Sequence, residues 1–151
     1  MNDQVSLTIA DYRHATSIQV RWGDLDALGH VNNAVYLTYT EQARISYFRD
    51  LDLWSGSTAE TGLIMARVTM DFKLPLFADD QVRVLSRVSR MGSRSMDLQN
   101  LIVRTKDGAD EIVTAATITV VVFDYEANTS TPIPADWRAK INAYEPAPVT
   151  Q

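Results

Sequence analysis

The chain has 151 residues, enough for one domain, and 46% of them are hydrophobic, which is ample for a core. It has no cysteine, which excludes disulfides, a thiol nucleophile and thiolate metal sites, and two histidines are too few for a His-rich metal site. A formal net charge of -5 argues against general nucleic-acid binding, no apolar run reaches the roughly 18 residues of a membrane span, and Met1-Asn2-Asp3-Gln4 does not resemble a signal peptide, so a soluble cytoplasmic protein is the default expectation.

Residues 1–14 are polar and are expected to be weakly fixed. Residues 17–22 alternate, with Ile18, Val20 and Trp22 on one face, and read as a strand. The loop 23–31 then gathers Asp24, Asp26, His30, Gly23 and Gly29 immediately ahead of a helical pattern. The free N–H groups and positive dipole end of a helix start bind negative charge. A carboxylate there can attack or activate water while a developing oxyanion rests on those donors.

Asn32 is a suitable N-cap. Beyond it Tyr36, Tyr39, Ala43 and Tyr47 recur at helical spacing, widened by Val35 and Phe48, so a helix is expected over about 32–50. Glu41 lies on that helix, near Arg44 and Arg49, as a surface or ion-pair residue within reach of an acyl pocket. Residues 51–62 read as a short helical or irregular connection. From Ile64 to Phe72 the period becomes two, and Pro75 ends the run. Strands are then expected over 82–91, 94–105 and 111–124, with turns at Met91-Gly92-Ser93 and Lys106-Asp107-Gly108. Residues 135–144 fit a short terminal helix led by Pro134, and the tail 146–151 is expected to be loose.

Short turns imply antiparallel neighbours, and one long helix against such strands is an α+β layer. The last long strand is apolar on both parities, and a sheet apolar on both faces needs a second cover, so a partner subunit is expected. Between 81 and 96 lie Arg83, Arg87, Arg90 and Arg94 with no acid. They read either as a solvated strand face or as a site for a phosphorylated ligand.

The stretch Trp22-Gly23-Asp24-Leu25-Asp26-Ala27-Leu28-Gly29-His30-Val31-Asn32-Asn33-Ala34-Val35-Tyr36 resembles hotdog-fold thioesterases of the 4-hydroxybenzoyl-CoA thioesterase type. The resemblance covers about residues 15–135 and implies a single hotdog domain over 1–151: a long central helix wrapped by a curved antiparallel sheet of about five strands. It places the catalytic carboxylate on Asp26 and the oxyanion donor at the backbone N–H near Asn33. His30 is a further catalytic candidate. Arg90 and the turn Met91-Gly92-Ser93-Arg94-Ser95 are similar to the family segment near CoA, so Arg90, Gly92, Ser93, Arg94 and Ser95 are the expected CoA contacts. His30-Val31-Asn32-Asn33 also resembles plant acyl-ACP thioesterases. There Asp26 and His30 match, but Leu28 replaces an Asn.

The resemblance implies hydrolysis of an acyl-CoA substrate without a metal or separate cofactor, CoA being part of the substrate. It also implies a homodimer or homotetramer with the site at a subunit interface, and no nucleic-acid or membrane partner. A thiol of pKa about 8.5 leaves without a strong general acid, so a lone carboxylate suffices, as nucleophile or as base. The competing reading is a non-catalytic acyl-CoA or acyl-carrier binding module on the same fold. A hotdog dehydratase fits less well, because His30 beside Asp-x-Asp does not resemble the dehydratase signature.

Overall fold

The computed structural model describes residues 8–54 and 61–151. Its elements are β1 (His14–Ile18), α1 (Val35–Asp50), β2 (Thr61–Phe72), β3 (Gln81–Met91), β4 (Ser95–Lys106), β5 (Ala109–Asp124), β6 (Thr129–Ser130) and α2 (Ala135–Tyr144). The strands form one antiparallel sheet in the order β1-β3-β4-β5-β2, with the short β6 beside β5. The curled sheet and its central helix make the α+β hotdog fold.

The tyrosine stripe explains the helix. Tyr36, Tyr39, Ala43 and Tyr47 are all buried against the sheet. The N-terminal half of α1 packs with Ile18, Val84, Ile102 and Val113. The C-terminal half packs Tyr47 and Phe48 with Val88, Leu98 and Ile118, and α2 closes that end through Trp137 and Ile141. The helix begins at Val35 rather than at 32, because residues 33–34 form a turn. Ala34 takes the cap position expected of Asn32, which instead closes the turn leading into the helix: its Oδ1 takes the Ala34 N–H at 2.9 Å, and its carbonyl takes the Val35 N–H at 2.9 Å.

The β4–β5 hairpin closes on two residues, Asp107 (φ 51°) and Gly108 (φ 78°), with Lys106 paired to Ala109. Two successive left-handed residues match the twist of a two-residue hairpin, which is why an Asp-Gly pair sits there.

Three expectations fail locally. The first strand ends at Ile18, and Trp22 is 85% exposed in a 3₁₀ turn, because Asp24 draws the Arg21 backbone and guanidinium back onto itself. Residues 8–14 are not loose: Ile9 and Tyr12 cross the face of the sheet opposite α1 and pack on Leu85, Leu101, Val103 and Ala115. The tail is held as well, with Thr150 taking the Met91 N–H and donating its own N–H to Ser89, both at 2.9 Å. The expectation for 51–62 falls partly outside the described residues, since only 51–54 and 61–62 belong to them. The N-terminal crossing supplies part of the second cover that the two-sided sheet requires.

His14, assigned no function from sequence, is buried, and its Nε2 lies 2.8 Å from Asp50, joining β1 to the end of α1. At the opposite edge β2 pairs, among the described residues, with β5 alone. Met65 (44%), Val68 (37%) and Phe72 (48%) expose large apolar side chains. Ile141 is fully buried in the cluster that seats α2. Ile141→Ala is expected to cost about 2–5 kcal/mol, read as a lower midpoint in urea unfolding.

Candidate active site

The loop between β1 and α1 is built around Asp24. Its carboxylate is 1% exposed, accepts from the Arg21 backbone N–H at 2.9 Å and from the Tyr39 hydroxyl at 2.7 Å, and pairs with the Arg21 guanidinium at 2.9 Å. Its carbonyl takes the Asn32 N–H at 2.9 Å. Burial disfavours the charge on Asp24, but the Arg21 N–H, the Tyr39 hydroxyl and the Arg21 guanidinium outweigh it and hold the carboxyl below its ordinary range. Burial, then the Asp24 carboxylate, pushes the Tyr39 hydroxyl up. Asp24 is therefore the structural member of the Asp-x-Asp pair.

Asp26 sits on a tight turn closed in two directions. Its N–H donates to the His30 carbonyl at 2.8 Å, and its carbonyl takes the Gly29 N–H at 3.0 Å. Gly29 has φ of 80°, where a side chain would be strained. Asp26 Oδ1 accepts the Leu28 N–H at 2.9 Å and the His30 N–H at 3.3 Å. Oδ2 takes no hydrogen bond from any described residue. One oxygen thus fixes the side chain of a residue that lines a cleft.

That cleft, about 280 Å³, is lined by Asp26, His30, Asn33, Tyr36, Phe72 and Lys73, among others. The His30 ring packs edge-on against Phe77, centroids 5.1 Å apart, and meets Asp26 through its backbone N–H. The Asn33 N–H, at the first turn of the helix start, goes to no described acceptor, because Asn32 takes the two N–H groups that follow it. Burial pushes the Tyr36 hydroxyl up, with Asp80 and Asp26 adding to it and the Leu76 N–H opposing. Asp26 itself is exposed in the single protomer. The cleft opens beside the free edge of the sheet, at the end of β2.

The structure thus brings Asp26, His30 and Asn33 to one cleft. Tyr36 fits an acyl pocket from its place on the helix, and it lines this cleft. Sequence reasoning missed Phe72 and Lys73 as walls, because nothing local links the end of β2 to a loop some forty residues earlier in the chain.

The 91–95 turn lies elsewhere. Arg90 bonds Asp97 at 2.7 Å, and Gly92 leaves room for it, since a Cβ there would come within 2.9 Å of the Arg90 Nη1. Arg94 Nη1 donates to the Ser130 carbonyl at 2.5 Å, Ser93 accepts the Ile133 N–H at 3.0 Å, and Arg138 donates to the Gly92 carbonyl. Met96 pairs with Val120, whereas Phe72 beside Asp26 pairs with Thr114. Six residues of β5 separate the two places, roughly 20 Å within one protomer.

Residues 20–141 match the family described as the thioesterase-like superfamily. The long-chain acyl-CoA thioesterase FadM of Escherichia coli is 27% identical over 127 residues, spanning 83% of this chain and 95% of FadM. A Thermus thermophilus thioesterase structure complexed with coenzyme A and zinc is 32% identical with a TM-score of 0.80, covering 92% of this chain and 98% of that one. A chloroplastic acyl-acyl carrier protein thioesterase of Arabidopsis thaliana is 33% identical over 78 residues, half of this chain and 41% of its own length. The chain belongs to the thioesterase-like superfamily and is a thioester hydrolase.

The lowered carboxyl of Asp24 has a stability consequence. A depressed folded-state value contributes stability that is complete above the unfolded value near 3.9 and is lost as pH falls through the folded one. Acid unfolding of the wild type is expected to steepen below about pH 4. In Asp24→Asn that portion of the pH dependence should be absent, and thermal melts across pH 2–6 check it.

Proposed function

We propose that the protein hydrolyses acyl-CoA thioesters to the free acid and CoA at the Asp26 cleft. The observation that carries this reading is the pairing of Asp26, anchored through one oxygen, with the unclaimed Asn33 N–H on the same cleft. Asp26 supplies its second oxygen to attack the thioester carbonyl or to take a proton from water. The Asn33 N–H, aided by the positive end of α1, meets the oxygen of the tetrahedral intermediate. CoA leaves as a thiolate or thiol without a strong acid beside it. The CoA-bound relative from Thermus and the FadM activity support the substrate class.

The homodimer or homotetramer expected from sequence is part of this proposal. A cleft of about 280 Å³ is small for an acyl-CoA, and it borders the exposed apolar edge of β2. A second copy seated on that edge would deepen the cleft and remove apolar surface from water.

Asp26→Asn is expected to lower thiol release from acyl-CoA by about 10²–10⁴-fold with an unchanged melting temperature. Full activity in that variant would reject the role, and saturable acyl-CoA binding without thiol release in the wild type would identify a binding module instead. Asn33 sits in the turn ahead of Val35 and its N–H closes no helical hydrogen bond, so Asn33→Pro deletes the donor without removing a bond from the helix. Its kcat is expected to fall about 10²–10³-fold. Mass measurement in solution is expected to return a dimer or tetramer.

A further inference from the structure

We propose that Arg44 reads the far end of the acyl group and selects chains that terminate in a carboxylate. This rests on the thioesterase reading of the Asp26 cleft and names its substrate class. A second cavity, about 290 Å³, lies further along α1, and its walls include Glu41, Arg44, Phe48, Trp54, Leu63 and Tyr125. Three of these walls are aromatic and one is Leu63, so the cavity takes the body of an apolar chain.

The two cavities share one side of the fold. Leu37, Arg44 and Phe48 are spaced by seven and four residues, which puts them on one flank of the helix, and Asn33 lies in the turn that leads into it. From Val35 to Arg44 is nine residues, roughly 14 Å along the axis. β2 supplies the floor between the cavities. Leu63 packs with the cluster at the far end of α1, Met70 with the near one, and Phe72 against Tyr36, ring centroids 5.2 Å apart. The bulge at Ala66 puts Leu63 and Met65 on the same face as Val68, Met70 and Phe72. An apolar stripe therefore runs from Asp26 to Arg44, the shape an extended acyl chain requires.

Arg44, at the end of that stripe, closes no ion pair among the described residues. It is half-buried, and among the described residues it has no hydrogen bond or ion pair. Burial pulls its guanidinium below the ordinary value, and Glu41 only partly opposes this. Glu41 is exposed and does not close an ion pair with it. A desolvated guanidinium against aromatic walls is completed by a carboxylate, which it binds in a two-pronged fork. A methyl terminus would leave the guanidinium with only the partial compensation of Glu41.

Matched acyl-CoA pairs, methyl-terminated and ω-carboxylated, from hexanoyl and hexanedioyl to tetradecanoyl and tetradecanedioyl, test the assignment. At the chain length that spans the stripe, kcat/KM of the wild type is expected to favour the ω-carboxylated member by about tenfold or more. Arg44→Met should abolish or invert that preference and leave acetyl-CoA turnover within about twofold, since an acetyl group does not reach the second cavity. A wild type that favours the methyl-terminated member at every length overturns the proposal. So does an unchanged ratio in Arg44→Met, including the case where its solution mass drops and a partner's carboxylate is thereby placed on Arg44.

If no acyl-CoA is hydrolysed, the thioesterase reading fails while the Arg44 assignment remains decidable. Tetradecanedioic acid should then quench the fluorescence of Trp54 saturably in the wild type, with Trp54→Phe as the blank. The quenching should be lost in Arg44→Met, and equal quenching in both proteins rejects the assignment.

Discussion

The buried carboxylate of Asp24 holds the loop and the helix in one arrangement. It meets the Arg21 backbone, the Arg21 guanidinium and the Tyr39 hydroxyl, while its own carbonyl takes the Asn32 N–H. The loop is thereby pinned near its beginning, at its end and to the first turns of α1. Charge-assisted bonds of this kind offset the cost of taking the carboxylate out of water, which a lone buried charge could not do. The Asp26 turn and the Asn33 N–H inherit their relative placement from these contacts. Neither would be held if the chain between 21 and 32 were merely a flexible connection.

The sheet divides its burial unequally. One face is filled by α1, and the other is partly covered by Ile9 and Tyr12 from the N-terminal segment. The β2 edge receives neither cover, and both the Asp26 cleft and the Arg44 cavity border it. An open apolar edge is a liability for an isolated chain.

Most of the elements were legible in the sequence because their causes are local. The tyrosine period announces α1, the Asp107-Gly108 pair announces the hairpin, and α2 runs over 135–144 as its pattern suggests. The failures have distant causes. Trp22 continues the alternation of the first strand, yet the Asp24 carboxylate curls the chain there. Segments 8–14 and 146–151 look unfixed by composition, and they are ordered by the outer sheet face and by β3. The short β6 carries no period of its own and exists only as a partner for the end of β5.

The same division applies to the site. The Asp-x-Asp element, His30 and the Asn32-Asn33 helix start are contiguous, so their loop-to-helix setting was readable before any coordinates. The walls were not: Phe72 and Lys73 join Asp26 only because β2 folds back along α1. The separation of the 91–95 turn from Asp26 likewise follows from strand pairing across β4 and β5. Residue type and short spacing determine which groups can react and which N–H can be free at a helix start. Which groups share a cavity is decided by long-range burial and register, because hydrophobic contact is non-directional and leaves no local mark on the chain.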